Sequence, residues 1–204
     1  FLMSGVKFIL TDERVSPARV ETYHYEKGLE SFVNFLNEDK ETIGPVMTFE
    51  GQQEGLVVDV AAQYNDGYSE TLLSFVNNVR TQDGGTHEVG FRTAWTKAFN
   101  EYARKVNLLK EKDKNLEGSD VREGLSAVIS LRVPEQFLQF EGQTKDKLGT
   151  PEARGIVDAV VNETLGRFLM ENGDFGQNII RKAIRAREAR EAARKARDES
   201  RTGK

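Results

Sequence analysis

The chain has 204 residues, 38% hydrophobic and 30% charged, with a formal net charge of -4. These values suit a globular protein with a polar surface, and no apolar run approaches the roughly 20 residues of a bilayer-spanning helix. Cysteine is absent, which excludes disulfides, thiolate metal sites and Cys nucleophiles and fits a reducing cytoplasm.

The chain opens in mid-pattern at Phe1, as though cut from something longer, without the basic start and apolar stretch of a signal peptide. Residues 6–11 read as a strand, Ser16-Pro17 breaks regularity, and 20–25 alternate as a second strand. Leu29, Phe32, Val33 and Leu36 recur on one helical face, which Asn37-Glu38-Asp39 terminates. Residues 45–49 predict a short strand, 50–55 a hairpin turn, and 56–64 its partner. Asn65-Asp66-Gly67 is turn chemistry, and 71–79 another strand. After the polar 81–86 loop, Phe91, Trp95, Ala98, Phe99 and Tyr102 mark one side of a helix over 87–106.

The Lys-, Asp- and Glu-rich 108–118 stretch is expected to be mobile, and 119–123 to form a short helical turn. Residues 125–133 are the most strand-like run in the chain and are expected to be central; Pro134 ends them. Residues 137–142 read as extended. Thr150-Pro151-Glu152 combines a cap, a first-position proline and a first-turn acid, so a helix follows, with Val157, Val160, Val161, Leu165, Phe168 and Leu169 on one stripe. Glu171-Asn172-Gly173 stops it. A last helix over 177–199 carries a seam of Ala186, Ala189, Ala193 and Ala196 that admits another helix, or serves as a strut leaving the domain. From 181 onward ten Lys/Arg face four Asp/Glu, leaving the rest with 19 against 29. Such a basic end can contact nucleic acid, but the interleaved Glu188, Glu191, Asp198 and Glu199 favour a solvated helix with paired charges. The element order predicts a mixed α/β domain, with helices over one face of a mainly antiparallel sheet.

No hydrolytic or metal-binding spacing is visible. His24 and His87 read as structural or capping residues. Asp83-Gly84-Gly85-Thr86 precedes a helix whose N-terminus can take an anion, although such glycines also serve simply as turn geometry. The 140–149 loop lies between an extended run and a capped helix and is bounded by Gly142 and Gly149. Lys145 on it is a point charge able to reach a phosphate, with Gln143 supplying neutral donors nearby; a plain solvated loop is the alternative.

Four segments carry a family resemblance: FEGQTKDKLG (140–149), VNNVRTQDGGTHEVGFRTAW (76–95), LLKEKDKNLEGSDVREGLSAVIS (108–130) and AREAREAARKARDESR (186–201). Together they resemble the transducer domain of the B, or ATPase, subunits of bacterial type IIA DNA topoisomerases. FLMENG (168–173), LGTPEAR (148–154) and the ending DESRTGK look more like topoisomerase IV of Gram-positive bacteria than gyrase. The gyrase counterpart and a stand-alone nucleic-acid-binding module are the alternatives.

The resemblance implies a four-stranded sheet backed by helices, with a left-handed βαβ crossover of a kind also found in ribosomal proteins. It implies that residues 1–17 end a preceding nucleotide-binding domain, that 18–172 are the transducer, and that 173–204 lead toward a metal-binding domain. Residues 1–14, lacking their own sheet, are then expected to pack poorly. ATP with Mg²⁺ is implied as cofactor, held mainly by the preceding domain. Gln143 and Lys145 are implied to reach the γ-phosphate, and Lys145 to stabilise transferred charge. Arg92 is implied to face transported DNA, with Arg80 and Lys97 on the same wall; pairing of Arg92 with Glu88 is the alternative. The implied partners are a second B subunit, the DNA-cleaving A subunit and duplex DNA.

Overall fold

A computed structural model describes residues 7–12, 19–24 and 28–203, the first two segments by backbone alone. Lys7–Asp12 (β1) and Arg19–His24 (β2) pair antiparallel as a two-stranded sheet. The expected packing of 1–14 and the side chain of His24 lie outside the described residues.

The main sheet has five strands rather than four, in the order β3-β4-β7-β5-β6. They are β3 (Thr42–Gln53), β4 (Leu56–Asn65), β5 (Thr71–Val76), β6 (Val79–Arg80) and β7 (Leu125–Arg132). Only β5 and β7 pair in parallel; the other neighbours are antiparallel. The extra strand arises because 71–79 is not continuous. Asn77 and Asn78 adopt φ of 50° and 67°, and reverse the chain into β6. The first hairpin is likewise tighter than expected. Strand β3 runs through the residues read as turn, and only Glu54-Gly55, at φ 52° and 83°, reverses direction. Two positive φ values suit a two-residue hairpin because its turn then follows the strand twist.

Strand β7 occupies the middle, as its apolar run predicts, and is buried on both faces. On one face Leu125, Ala127, Ile129 and Leu131 join a core with Val58, Val60 and Tyr64 of β4. This face is covered by α2 (Thr86–Lys105), α4 (Pro151–Glu171) and the start of α5 (Gly173–Thr202). Phe91, Trp95 and Phe99 are fully buried there, each contributing about 1.5–3 kcal/mol by removal from water. The opposite face is covered too, which corrects the expected one-sided arrangement. Leu29 and Val33 of α1 (Leu29–Leu36) pack on Ala61, Phe75 and Val128. Below α1, buried Asn37 accepts from Ser126 Oγ at 2.8 Å and Asn65 Nδ2 at 3.1 Å, so the helix terminator also ties α1 to β4 and β7.

Three other expectations need correction. The polar 108–118 stretch is folded against α2: Leu109 and Leu116 are buried, and Arg104 Nη2 donates to Asn115 Oδ1 at 2.7 Å and Asp113 O at 2.8 Å. It leads into α3 (Gly118–Val121), the expected short turn. The 137–142 run begins in a 3-10 turn, Glu135–Phe137. Thr150 stands at the α4 N-terminus, but its hydroxyl donates to Phe137 O at 2.8 Å and accepts from Gln139 N, so it fastens the preceding loop rather than capping the helix.

Helix α5 starts four residues earlier than predicted, directly after Asn172. Backbone N and Nδ2 of Asn172 both donate to Phe168 O at 2.9 Å, which closes α4. Ile179, Ile180 and Ala183 are buried, whereas 191–203 are exposed, including Ala193 and Ala196 of the small-residue seam. Near the middle of the helix, Arg190 grips buried Asp120 at 2.8 Å and Glu117 at 3.0 Å, so part of the basic charge is paired within the domain.

Candidate phosphate-contact loop and basic groove

The 140–149 loop stands on a hydrogen-bonded base. Asp83 N donates to Asp146 O at 2.8 Å, Leu148 N to Gly84 O at 3.0 Å and Thr86 N to Leu148 O at 3.1 Å. At its neck, Glu141 N donates to Lys147 O at 2.9 Å and the Lys147 ammonium lies 2.9 Å from the Glu141 carboxylate. That contact pushes the Lys147 pKa up. Gln143, Thr144 and Lys145 are exposed at the tip, and neither Gln143 nor Lys145 has a side-chain partner among the described residues. The base is thus fixed while a cation and an amide stand free.

The loop and the Asp83-Gly84-Gly85-Thr86 turn therefore form one unit. Gly85 has φ 142° and bridges Leu148; a Cβ there would collide with the Leu148 backbone. Glycine is required by close approach, beyond its ease at positive φ. The α2 N-terminus does not offer the anion site considered from sequence. Its Thr86 N–H is used by Leu148 O, and the Glu88 carboxylate folds back over Gly84. Burial raises the Glu88 pKa, against the lowering influence of nearby Arg92.

His87 is structural. It is fully buried, and its Nε2 lies 3.0 Å from Thr81 Oγ1. Burial lowers its pKa to about 4, so the ring is neutral at pH 7. Thr81 Oγ1 in turn meets Ser74 O at 3.1 Å and Ser74 Oγ at 2.7 Å.

The DNA-facing candidates divide. Arg92 and Lys97 line a groove of about 620 Å³ beside α2, together with Thr96, Asn100, Arg104 and Arg122. Arg80 lies in β6, outside the lining of this groove, and is exposed. Arg92 pairs with Glu70 rather than Glu88: its Nε lies 3.2 Å from Glu70 Oε1, the same oxygen that Arg122 Nε approaches at 3.2 Å. Arg122 is more enclosed than Arg92, with the side chain 15% exposed against 41%. Glu70, Arg104 and Arg122 had no signal in the sequence, because their partners come from other elements or from the far end of a loop.

Fold and site define an α/β domain with cations on a helix-lined groove and on the tip of a stapled loop. The family model for DNA gyrase B matches residues 28–199, and the chain belongs to that family. Similar curated relatives are the B subunits of DNA topoisomerase 4 from Enterococcus faecalis, 67% identical over the whole chain, and from Bacillus subtilis, 62% identical over the same span. The chain spans 30% and 31% of their lengths. Among solved structures, the 43K ATPase domain of Thermus thermophilus gyrase B matches with TM-score 0.82 and 37% identity, over 97% of this chain and 52% of that one. A Francisella tularensis topoisomerase IV ATP-binding domain, 21% identical, shares the fold with TM-score 0.71 over 93% of this chain and 50% of that one.

Proposed function

We propose that this segment is the transducer of a type IIA topoisomerase ATPase subunit, relaying nucleotide state from an ATP-binding domain to the DNA gate. The observation that carries the reading is the free Gln143–Lys145 tip on a fixed base. A lysine in contact with the γ-phosphate joins two domains only while that phosphate is present. Its loss on hydrolysis releases them. During transfer the same ammonium stabilises charge on the phosphoryl group.

The donor set fits phosphate: one cation and one amide, both exposed. It does not fit a divalent cation, which takes oxygen ligands, carboxylates above all, and is repelled by an ammonium. On this reading Mg²⁺ and the adenine pocket belong to the preceding domain. On this reading residues 1–17 end that domain, 18–172 form the transducer and 173–204 lead onward; the β1–β2 ladder spans the first boundary. The β5–α2–β7 crossover takes the family's left hand. Arg92 and Lys97 hold phosphates of a transported duplex without reading sequence, as backbone contacts do. The partners are a second B subunit, the DNA-cleaving A subunit and duplex DNA. Topoisomerase IV is favoured over gyrase by the 62–67% identity to topoisomerase 4 relatives, against 37% to the Thermus gyrase.

The test is Lys145→Ala in the full-length protein. ATP turnover is expected to fall at least ~10-fold, which needs only about 1.4 kcal/mol. ADP affinity should hardly change, because ADP lacks the contacted phosphate. Gln143→Ala should act in the same direction more weakly. Unchanged turnover in Lys145→Ala contradicts the reading; equal loss of ADP and ATP binding would mean a misfolded loop instead.

A further inference from the structure

Three buried polar residues outside the loop converge on its base. Ser74, Thr81 and His87 are each at most 3% exposed. One arrangement of hydrogens satisfies the threonine completely. Its hydroxyl donates to Ser74 O and accepts from Ser74 Oγ and from His87 Nε2–H. His87 Nδ1, which has no partner among the described residues, is then a bare acceptor rather than a buried N–H. The neutral ring favoured by burial agrees with this tautomer.

The triad fixes the turn that meets the loop. Thr81 N donates to Ser74 O at 2.9 Å, and Gly84 N donates to Thr81 O at 3.0 Å. The turn so formed delivers Asp83 N to Asp146 O at 2.8 Å, one residue from Lys145, and Gly84 O to Leu148 N. Ser74 belongs to β5, paired with central β7 through the Ser74–Ile129 register. His87 belongs to the first turn of α2. Sheet, helix and turn therefore share one buried hydroxyl, and the turn carries the loop.

We propose that Ser74, Thr81 and His87 act as a positioning unit for Lys145, locking its loop to the β5 end of the sheet and to the start of α2. The proposal rests on the reading of Lys145 as the γ-phosphate contact. It adds that the lysine's reach is set from the opposite side of the turn, by groups that never touch nucleotide. A shift of the turn would carry Asp146, and with it the ammonium, away from its working place; small misplacements are costly to rate.

The experiment uses the full-length protein and compares Thr81→Val, Thr81→Ser, Lys145→Ala and the double variant Thr81→Val/Lys145→Ala. Thr81→Val keeps the shape and removes the shared hydroxyl. It is expected to lower ATP turnover about 3- to 10-fold with ADP affinity unchanged, and Thr81→Ser to restore the rate. The double variant should be no slower than Lys145→Ala alone, because a misplaced lysine and a missing one fail in the same way. Should Thr81→Val not fold, Ser74→Ala, which cuts the other end of the same contact, decides by the same comparison. Wild-type turnover in Thr81→Val beside a slow Lys145→Ala overturns the positioning unit and leaves the lysine's role standing. Losses that multiply in the double variant also overturn it, since the threonine would then act elsewhere. Normal turnover in Lys145→Ala removes the functional reading and this inference together.

Discussion

Replacing Tyr64 with Phe should be among the most damaging single-atom deletions in the domain. Tyr64 stands on β4 and is fully buried; burial raises its pKa, so the phenol is a donor at any working pH. Its hydroxyl donates to Val121 O of α3 at 2.6 Å and accepts from Trp95 Nε1 of α2 at 3.0 Å. One oxygen thus joins the sheet to two helical elements. Phenylalanine keeps the ring contacts with Trp95, Phe99 and Phe175, whose centroids lie 6.5, 6.1 and 6.3 Å away. What is lost is the hydroxyl, leaving a buried indole N–H and a buried carbonyl without partners. Each orphan costs about 1–3 kcal/mol, and partial relaxation brings the expected total to about 2–4 kcal/mol. Guanidinium unfolding followed by the emission of Trp95, the single tryptophan, reads both effects. The midpoint should fall with the slope unchanged, and the native emission should shift as the indole loses its acceptor. A loss below about 0.5 kcal/mol would refute the claim that this hydroxyl ties the layers together.

Arg92→Gln in the full enzyme should weaken DNA-stimulated ATPase and strand passage more than DNA-independent ATPase. Arg122 remains on Glu70, so the fold should lose no more than about 1 kcal/mol; wild-type DNA stimulation and strand passage would remove its DNA role. His87 gives the domain a pH dependence. Its imidazole titrates at about 4 when folded and near 6.5 when unfolded, so protons bind the unfolded chain first. Its contribution is complete above about pH 6.5 and is lost as pH falls toward 4, by up to roughly 3 kcal/mol. The stability difference between wild type and His87→Gln should narrow across that window in denaturant titrations; a constant difference would contradict the neutral buried ring.

Much of the framework is legible in the residues. Leu125 to Leu131 announce a central strand, and Phe91, Trp95, Phe99 and Tyr102 announce the helix that covers one face of it. Pro151 marks the start of α4 because its missing N–H costs nothing there. The misses share a physical cause, which is that local pattern does not encode partners distant in sequence. The stripe of α1 shows that one side is buried, but not which face of the sheet receives it. Asn77 and Asn78 look like strand interruptions only once both are known to take positive φ. The 108–118 stretch reads as solvated, although Leu109 and Leu116 were the signal that it folds back. At the site, the exposure of Gln143 and Lys145 was readable from the polar, glycine-bounded loop, and their proposed role comes from family resemblance. The stapling of that loop to Gly84 and Gly85 was not, because it depends on a backbone approach that no side chain advertises.

The loop is proposed to convert the presence of a phosphate into a domain position. The most direct test is an energy-transfer distance in the full-length protein, from a label on the ATP-binding domain to one at the exposed end of α5, measured with a non-hydrolysable ATP analogue and with ADP. Wild type should give two distances. Lys145→Ala should give the ADP distance with both nucleotides, each bound to saturation. If the mutant still changed distance between analogue and ADP as wild type does, the nucleotide state would reach α5 by another route and Lys145 would not be the relay.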